Sequence, residues 1–578
     1  MGATGVTALA VALLVLLSFP SSPPPLVGGG RVSFPPRPRA VGVLHVHSRY
    51  SDGAGTVDDI SAAARGAGLD FLVLTDHGHM EALRTEGEGY DQGVLRLVGT
   101  ELSTEQGHIL ALDIPEPLFR FGSQTGDVLQ AIAELGGFAI VAHPSARRAN
   151  FAWTGWDLPG YTGVELFNFF SGWRRQRGWR TAVASGLYFL SPRRALAVGL
   201  EWDGELLGRF DKLQARRKLV GWAGLDAHGR MPLLGGLELE WPGYRATFAM
   251  VRNHLILDEG LNGDPVHDRA EIYQALRQGR GYVAFDGLAD ASRFTFQARQ
   301  GSRLWPMGSQ VPFSSPPVRL EVAVDGPPGT GLVLLRDGEL LASSSDPKLS
   351  VSVHRPGVYR AEARLAARYV PGGREQPWIV ANPIFILPAS EMDRRSRWLE
   401  FPPAPSTDHL RCEPLGDRER PVDFHPEHDI ASMMDEESAH SRDGSFSIVF
   451  RLAEPAQGRP YVWCAVADRS PRDLSAFDSV RFRVRGDDVF RVDFQLRDAH
   501  PGGSDEDTEW WVTSFKISRE WKEVTIPFRE LHSITTPSDG RLDLDLIRGL
   551  FFVLDAGNTR PGVSGEIAIE DLQLCRQP

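Results

Sequence analysis

Seven of the sixteen histidines fall between residues 41 and 230, nearly all beside the end of a short apolar run, and this placement constrains the 578-residue chain more than any other feature. Histidines that merely fill a core would scatter. Val43-Leu44-His45-Val46-His47 reads as a strand whose two-residue period puts both imidazoles on one face, as a chelate for one ion requires. Ser51-Asp52-Gly53 then returns a carboxylate on a tight turn. The next apolar run ends in Thr75-Asp76-His77, a third (95–99) leads into Glu101, and His108 opens a fourth. Ala142-His143-Pro144 and Asp226-Ala227-His228 close the set. Helical patterns lie between these runs, one capped by Thr56 and one over 127–135, so strands alternate with crossover helices. In a barrel of parallel strands such ends converge on the C-terminal face, where active sites sit.

His45, His47, Asp52, His77, Glu101, His108, His143, Asp226 and His228 are nitrogen and oxygen ligands without sulfur. Such a set suits several divalent ions of Zn²⁺, Mn²⁺ or Fe²⁺ type rather than a closed structural zinc. Cations ~3.5–4 Å apart lower the pKa of a bridging water toward ~7 and clamp both attacking and leaving oxygens. Asp76 either orients His77 or shuttles a proton; His77, Glu101 and Asp226 are the other catalytic candidates. Arg147 and Arg148 follow His143-Pro144 at the expected barrel mouth, suited to an anionic substrate group. The long connection between Glu165 and Asp226 carries Arg174 among tryptophans, a composition for an anion attached to a flat ring, such as a nucleotide. An amphipathic cap helix with solvated arginines explains it equally.

These residues resemble the PHP (polymerase and histidinol phosphatase) superfamily of metal-dependent phosphoesterases. The resemblance covers about residues 41–230 and rests on His45-x-His47 with Ser51-Asp52-Gly53, Thr75-Asp76-His77, Gly99-Thr100-Glu101, His108, His143-Pro144 and Asp226-x-His228. It implies an α/β fold, a distorted (β/α)7 barrel holding up to three metals. By position, His45, His47, Glu101 and Asp226 would hold one ion. Glu101 would bridge to a second held by His108 and His143, and Asp52, His77 and His228 would hold a third. Residues 270–285, the strands after them and Trp378-Ile-Val-Ala-Asn-Pro383 look like the branch that includes carbamate hydrolases, in which a β-sandwich follows the barrel. The leading expectation is a phosphoesterase acting on nucleotide-like or small phosphorylated substrates. A carbamate or amide hydrolase on the same site is the alternative, and a catalytically inactive glycan-binding protein the alternative of another class.

The rest of the chain supplies the domain plan. An apolar run from Val6 to Phe19, too short to span a bilayer, predicts a signal peptide or N-terminal anchor over 1–22 and a Pro/Gly-rich linker over 23–40. The protein is therefore expected to be exported, whether periplasmic, extracellular or held at the membrane by an uncleaved N-terminus. The metallohydrolase domain is placed at 41–290, a β-sandwich at 291–388, a linker at 389–440 and an all-β jelly roll at 441–578, the last resembling galactose-binding-like, carbohydrate-binding modules. There Glu509-Trp510-Trp511 and Trp521 can stack on sugar rings, so a glycan or cell-surface polymer is the expected partner. A net charge of −12 gives no overall field for duplex nucleic acid. The three cysteines, Cys412, Cys464 and Cys575, allow at most one disulfide and no cysteine-ligated zinc cluster.

Overall fold

The computed structural model describes residues 37–577 apart from 176–185, 230, 233–237, 240–241, 314–316, 371–373, 397–398, 402–408, 417–421, 436–444, 457–460, 500–507 and 537. The apolar run at 6–19 and most of the 23–40 linker thus lie outside the described residues. Among the described residues no helix is long and apolar enough to cross a membrane. The chain divides into two compact units, residues 1–116 with 123–401, and residues 117–122 with 402–578.

The first unit is built on a closed ring of strands: β1 (Arg39–Val46), β2 (Phe71–Leu74), β3 (Val94–Val98) continuing into β4 (Thr100–Thr104), β5 (Gly107–Leu112), β6 (Phe138–Val141), β7 (Tyr161–Asn168) and β8 (Val220–Ala227). β7, β8, β1, β2 and β3 pair in parallel, and β8 returns to β1. The expected barrel of parallel strands is corrected at β5, which is antiparallel to both β4 and β6. A reversed strand begins where its neighbours end, so His108 at the start of β5 reaches the rim on which the other candidate ligands sit. Regular β/α alternation also fails. Helices α1 (Val57–Ala67), α2 (Glu81–Glu86) and α3 (Thr125–Glu134) cross between strands, but β4 and β5 form a hairpin and no helix separates β6 from β7. Helix α1 has the local signals it needs: Thr56 and Asp59 form a capping box, Val57, Ile60 and Ala64 face inward, and Gly68 closes the C-terminus at φ 71°.

Two strands outside the ring, β9 (Arg252–Ile256) and β10 (Gly281–Ala284), carry the sheet onward, because β9 pairs with the start of β1 and with β10. β10 in turn pairs with β11 (Gln376–Ala381), so hydrogen bonding runs unbroken across residue 290. A four-stranded sheet that includes Thr295–Gln300 and Arg319–Ala323 lies in the same unit. Two buried asparagines join these layers to β8. Asn382 accepts from Gly221 N–H (2.6 Å) and donates to the Gly221 and Gly281 carbonyls, while Asn253 exchanges two 2.9 Å bonds with Ala223.

The second unit is all β, with two six-stranded sheets around one core that includes Phe482, Val492, Phe494, Phe552 and Ile567. The span expected to be a linker contributes to it: Arg411–Pro414, His425–His428 and Met433–Met434 are all paired strands. Residues 117–122, which in sequence follow β5, also belong here; Phe119 bridges to Thr559 and Arg120 N–H donates to Asn558 O (2.9 Å). The polar, Pro-containing composition of 389–440 hides a role that only long-range pairing supplies. Cys412 and Cys575 are disulfide-bonded across paired strands, and Cys464 is buried and free.

Asn382→Ala should cost about 2–3 kcal/mol, since the Gly221 N–H and carbonyl would be left buried and unpaired; denaturant unfolding of the first unit, followed by its own fluorescence transition, checks this.

Candidate metal centre

The nine candidate ligands do meet. Glu101 is at their middle: the backbone of 76–78 pairs with residue 101, so Gly78 N–H donates to Glu101 O (2.8 Å) and Glu101 N–H to Asp76 O (3.1 Å). Its carboxylate is 1% exposed and touches five imidazoles. Oε1 lies 2.8 Å from His108 Nδ1 and 2.8 Å from His143 Nε2; Oε2 lies 3.2 Å from His45 Nε2, 3.3 Å from His47 Nε2 and 3.1 Å from His77 Nδ1. Asp226 Oδ1 is 3.7 Å and 3.5 Å from the same two Nε2 atoms of His45 and His47. Asp52, half-exposed at the mouth, lies 3.2 Å from His228 Nε2, 3.6 Å from His77 Nε2 and 3.7 Å from His47 Nδ1.

Three groupings can hold an ion: His47, Asp52, His77 and His228; His45, Glu101 and His143; and His45, His47 and Asp226. His47 therefore stands between two groups. The decisive test of fit is hydrogen bonding. His45 Nε2, His47 Nε2, Glu101 Oε2 and His143 Nδ1 are buried without a hydrogen-bond partner, although the first three face one another. Buried polar atoms are normally paired, and a cation between them would satisfy all three lone pairs at once.

The backbone is bent to make this arrangement. His45, His143 and Asp226 have φ of 64°, 27° and 53°, a region worth about 1–3 kcal/mol of strain each and common at functional sites. The pairing registers of β1 shift at His45. The strand period alone thus does not put His45 and His47 together; a bulge does.

Three residues that the sequence analysis passed over hold the ligands. Glu165 is buried in β7 between Val164 and Leu166, and Oε1 accepts from His45 Nδ1 (2.7 Å). That fixes the tautomer and leaves Nε2 as the lone pair facing Glu101. Its Oε2 accepts from His143 N–H (2.6 Å) and Asn168 Nδ2 (2.9 Å). Residue 224 must be glycine here, since a Cβ would lie 1.6 Å from Glu165 Oε1. A carboxylate inside an apolar strand was the available signal. Tyr244, in a short helix (Tyr244–Phe248), places its hydroxyl 2.9 Å from the carbonyl oxygens of both His47 and His228, a contact with no sequence signature. Ser48 donates through N–H and Oγ to Asp76 (2.8 and 2.7 Å), and Ser51 Oγ donates to it as well (2.6 Å). Asp76 is thereby committed to the turn that carries Asp52. Oδ1 accepts two of these bonds and Oδ2 one.

A cavity of about 620 Å³ opens over the centre, within the usual range for small-ligand sites. Asp52, His77, Glu101, His108, His143, Asp226 and His228 line it together with Arg147, Arg148, Phe151 and Phe170. Arg148 stacks on Phe151 (5.5 Å), whose ring rests against His108 (4.8 Å). The side chain of Arg174 lies outside the described residues, as does 176–185.

Comparison with known proteins bears on the part of the chain that holds His45, His47, Asp52, His77, Glu101 and His108. Residues 44–124 match the family model of the PHP domain. The chain carries a PHP domain. The chain is 40% identical over 72 residues to an error-prone DNA polymerase of Symbiobacterium thermophilum, a match covering 12% of this chain and 7% of that protein. Residues 434–575 match the carbohydrate binding domain (family 11), so the C-terminal unit contains such a domain. Among solved structures, a two-domain protein from Bacteroides vulgatus containing a predicted PHP-like metal-dependent phosphoesterase is 13% identical, over 62% of this chain and 98% of that one (TM-score 0.30). A family 11 carbohydrate-binding module from Clostridium thermocellum, in complex with a β-1,3-1,4-mixed-linked tetrasaccharide, is 16% identical over 28% of this chain and 94% of that one (TM-score 0.23).

Electrostatics around the candidate ligands favour opposite charges in close contact. Burial pulls the His45 imidazole down, but Glu165, Glu101 and Asp226 outweigh it and hold its pKa well above the usual value. His77, His143 and His228 are also raised: burial opposes, and Asp52 or Glu101 prevails. Burial pushes Glu101 up, while His45 and the hydrogen bonds of His108 and His143 hold it well below the carboxylate range. A proton and a cation therefore compete for the same nitrogens. Metal uptake near neutral pH should release protons, and affinity should fall as pH drops through the raised histidine values; calorimetric titration with Mn²⁺ or Zn²⁺ in buffers of different ionisation enthalpy reads both. Glu165→Ala should weaken metal retention roughly 10- to 100-fold with the fold intact, measured by chelator competition alongside circular dichroism.

Proposed function

We propose that this protein is a PHP-type metal-dependent phosphoesterase, exported from the cell, whose C-terminal unit binds carbohydrate. One observation carries the catalytic part: buried, unbonded His45 Nε2, His47 Nε2 and Glu101 Oε2 converge beneath a cavity whose rim bears Arg147 and Arg148. His45, His47, Glu101 and Asp226 would hold one ion, with His108 and His143 reaching a second through Glu101, and Asp52, His77 and His228 completing a third position. When bound, divalent ions of Zn²⁺, Mn²⁺ or Fe²⁺ type supply Lewis acidity and a water of lowered pKa. The chain's own part is positioning. Glu165 keeps His45 in one tautomer, and Tyr244 ties together the backbones of His47 and His228. Arg147 and Arg148 meet the phosphoryl oxygens, Arg148 lying over the Phe151 ring. Phe151 and Phe170 give the cavity two apolar walls, which suits a phosphorylated small molecule with an unsaturated or ring substituent. The nucleotide-like substrate expected from the Arg174 region rests on residues outside those described.

Export is supported by the Cys412–Cys575 disulfide, since such bonds persist in oxidising compartments. The carbohydrate reading is supported by the match of residues 434–575 to a carbohydrate binding domain.

The test is metal analysis of the purified chain together with hydrolysis of p-nitrophenyl phosphate, bis-p-nitrophenyl phosphate and a naphthyl carbamate, for wild type and Glu101→Ala. The expected outcome is two or three metals per chain with phosphoester turnover, and a variant that loses metal and at least about 100-fold in kcat/KM. Carbamate turnover without phosphoester turnover would move the protein to the amidohydrolase reading. Less than one metal and no turnover would leave the C-terminal unit as the functional part.

A further inference from the structure

The second unit presents a sheet face whose chemistry is unlike an exposed aromatic platform. On the six-stranded sheet holding Phe490–Ala499, Thr508–Ile517 and Ile547–Asp555, alternate residues enter the core and the others face outward. Phe494 and Leu496 are core; Gln495 and Arg497 lie on the other face, with Phe551 across from Gln495 and Trp510 across from Arg497. Ala465, Ala467, Phe551 and Val553 form a small separate cluster on that face, with Trp463 packed against it. Residue 549, opposite Arg497, is glycine; a Cβ there would stand 2.7 Å from the Phe551 ring. The resulting trough lets a guanidinium lie flat.

It is filled by two. Arg497 Cζ sits 3.6 Å from the Phe551 ring centroid and 3.8 Å from that of Trp510, and Arg469 lies over Phe551 at 5.1 Å. Phe551 is consequently 1% exposed, and a sugar arriving here meets guanidinium where a neutral-glucan platform would offer bare ring. The two cations are not equivalent. Arg469 makes a bidentate pair with Glu427 (2.7 and 2.8 Å). Among the described residues Arg497 pairs with no carboxylate; one nitrogen donates to Gln495 Oε1 (3.2 Å) and its Nε is buried without a partner. Burial and the neighbouring Arg469 charge pull Arg497 down to about 10, outweighing the attraction of Glu427, whose two oxygens are bonded to Arg469.

Resting on the carbohydrate-binding reading of this unit, we infer that the Arg497–Trp510–Phe551 trough binds an acidic polysaccharide, its carboxylate or sulfate groups completing the unpaired Arg497 fork. A planar guanidinium held between two rings loses little freedom on binding, and Arg497 Nη1, which makes no hydrogen bond among the described residues, is left to meet an oxyanion beside the Gln495-bound Nη2. Trp510, 38% exposed beside it, supplies the apolar contact for the sugar ring. Uronic-acid and sulfated polymers share this chemistry.

The experiment is affinity electrophoresis and calorimetry of the full chain with polygalacturonate, alginate, a sulfated galactan, a neutral β-1,3-1,4-glucan and single-stranded DNA, each at low and high salt. Binding to a uronate or the sulfated polymer at least roughly tenfold tighter than to the neutral glucan, and weakened by salt, is the expected result. Whether uronate or sulfate binds better identifies which anion the fork meets. Arg497→Gln should lose about tenfold on the acidic polymer and Arg497→Lys should not restore it. The wild-type salt dependence stands as evidence even where a variant fails to fold. Equal or tighter, salt-insensitive binding of the neutral glucan would overturn the inference while leaving the carbohydrate reading intact; DNA binding as tight as the best polysaccharide would overturn it as non-specific charge. No polysaccharide binding at all would remove both.

Discussion

A single buried carboxylate, that of Glu101, is what the first unit is organised around. Removing an ionised carboxyl from water costs several kcal/mol unless charge and hydrogen bonds compensate it. Here five imidazoles do so, drawn from the end of β1 and the residue after it, the 76–78 turn, β5 and the second residue after β6. The converse also holds. Histidine nitrogens packed this closely would repel or stay unpaired without an anion among them. Neither half of the centre is stable without the other, and the atoms still unsatisfied are those a cation would bind.

The surrounding fold converts that requirement into geometry. Parallel strands deliver His45, His143 and Asp226 to one rim, and each is then turned inward by a backbone conformation that an ordinary strand avoids. The reversed strand β5 brings His108 to the same rim from the opposite direction. Glu165 holds both His45 and the His143 backbone, so two ligands from different strands share one buried anchor. Asp76 does the same for the turn bearing Asp52. Positioning groups of this kind are as buried as the ligands themselves, which is how a site with strained backbone stays in one arrangement. In the second unit the reverse principle operates. Gly549 clears a trough on one sheet face, and two arginines occupy it, of which Arg497 has no ion pair with a carboxylate among the described residues.

Much of this was legible before any coordinates. The paired histidines at 45 and 47, the carboxylate-histidine doublets at 76–77 and 226–228, and the recurrence of His at the ends of apolar runs marked the rim, because metal chemistry restricts which residue types can stand there. Core strands such as 71–74 and 138–141 were equally plain from apolar runs between turn signals. What escaped was of two kinds. Glu165 and Tyr244 act through contacts 120 and 197 residues apart in sequence, and no local pattern distinguishes a carboxylate that anchors a histidine from one that faces water. Strands at 411–414 and 425–428 have little apolar periodicity, since they are short and only partly buried. Pairing with partners far along the chain, not their own composition, makes them strands.

The sequence by itself determined the chemical identity of the centre and the order of its parts. Which residues can ligate a metal, and that they sit at strand ends, follows from side-chain chemistry and from hydrophobic periodicity, both written locally. Tertiary structure alone decided which ligand faces which. The bulge at His45, the reversal of β5 and the unbroken sheet across residue 290 depend on hydrogen bonds between strands distant in sequence. So does the bidentate pairing of Glu427 with Arg469 while Arg497, among the described residues, hydrogen-bonds only to Gln495, because charge compensation is settled by proximity in space.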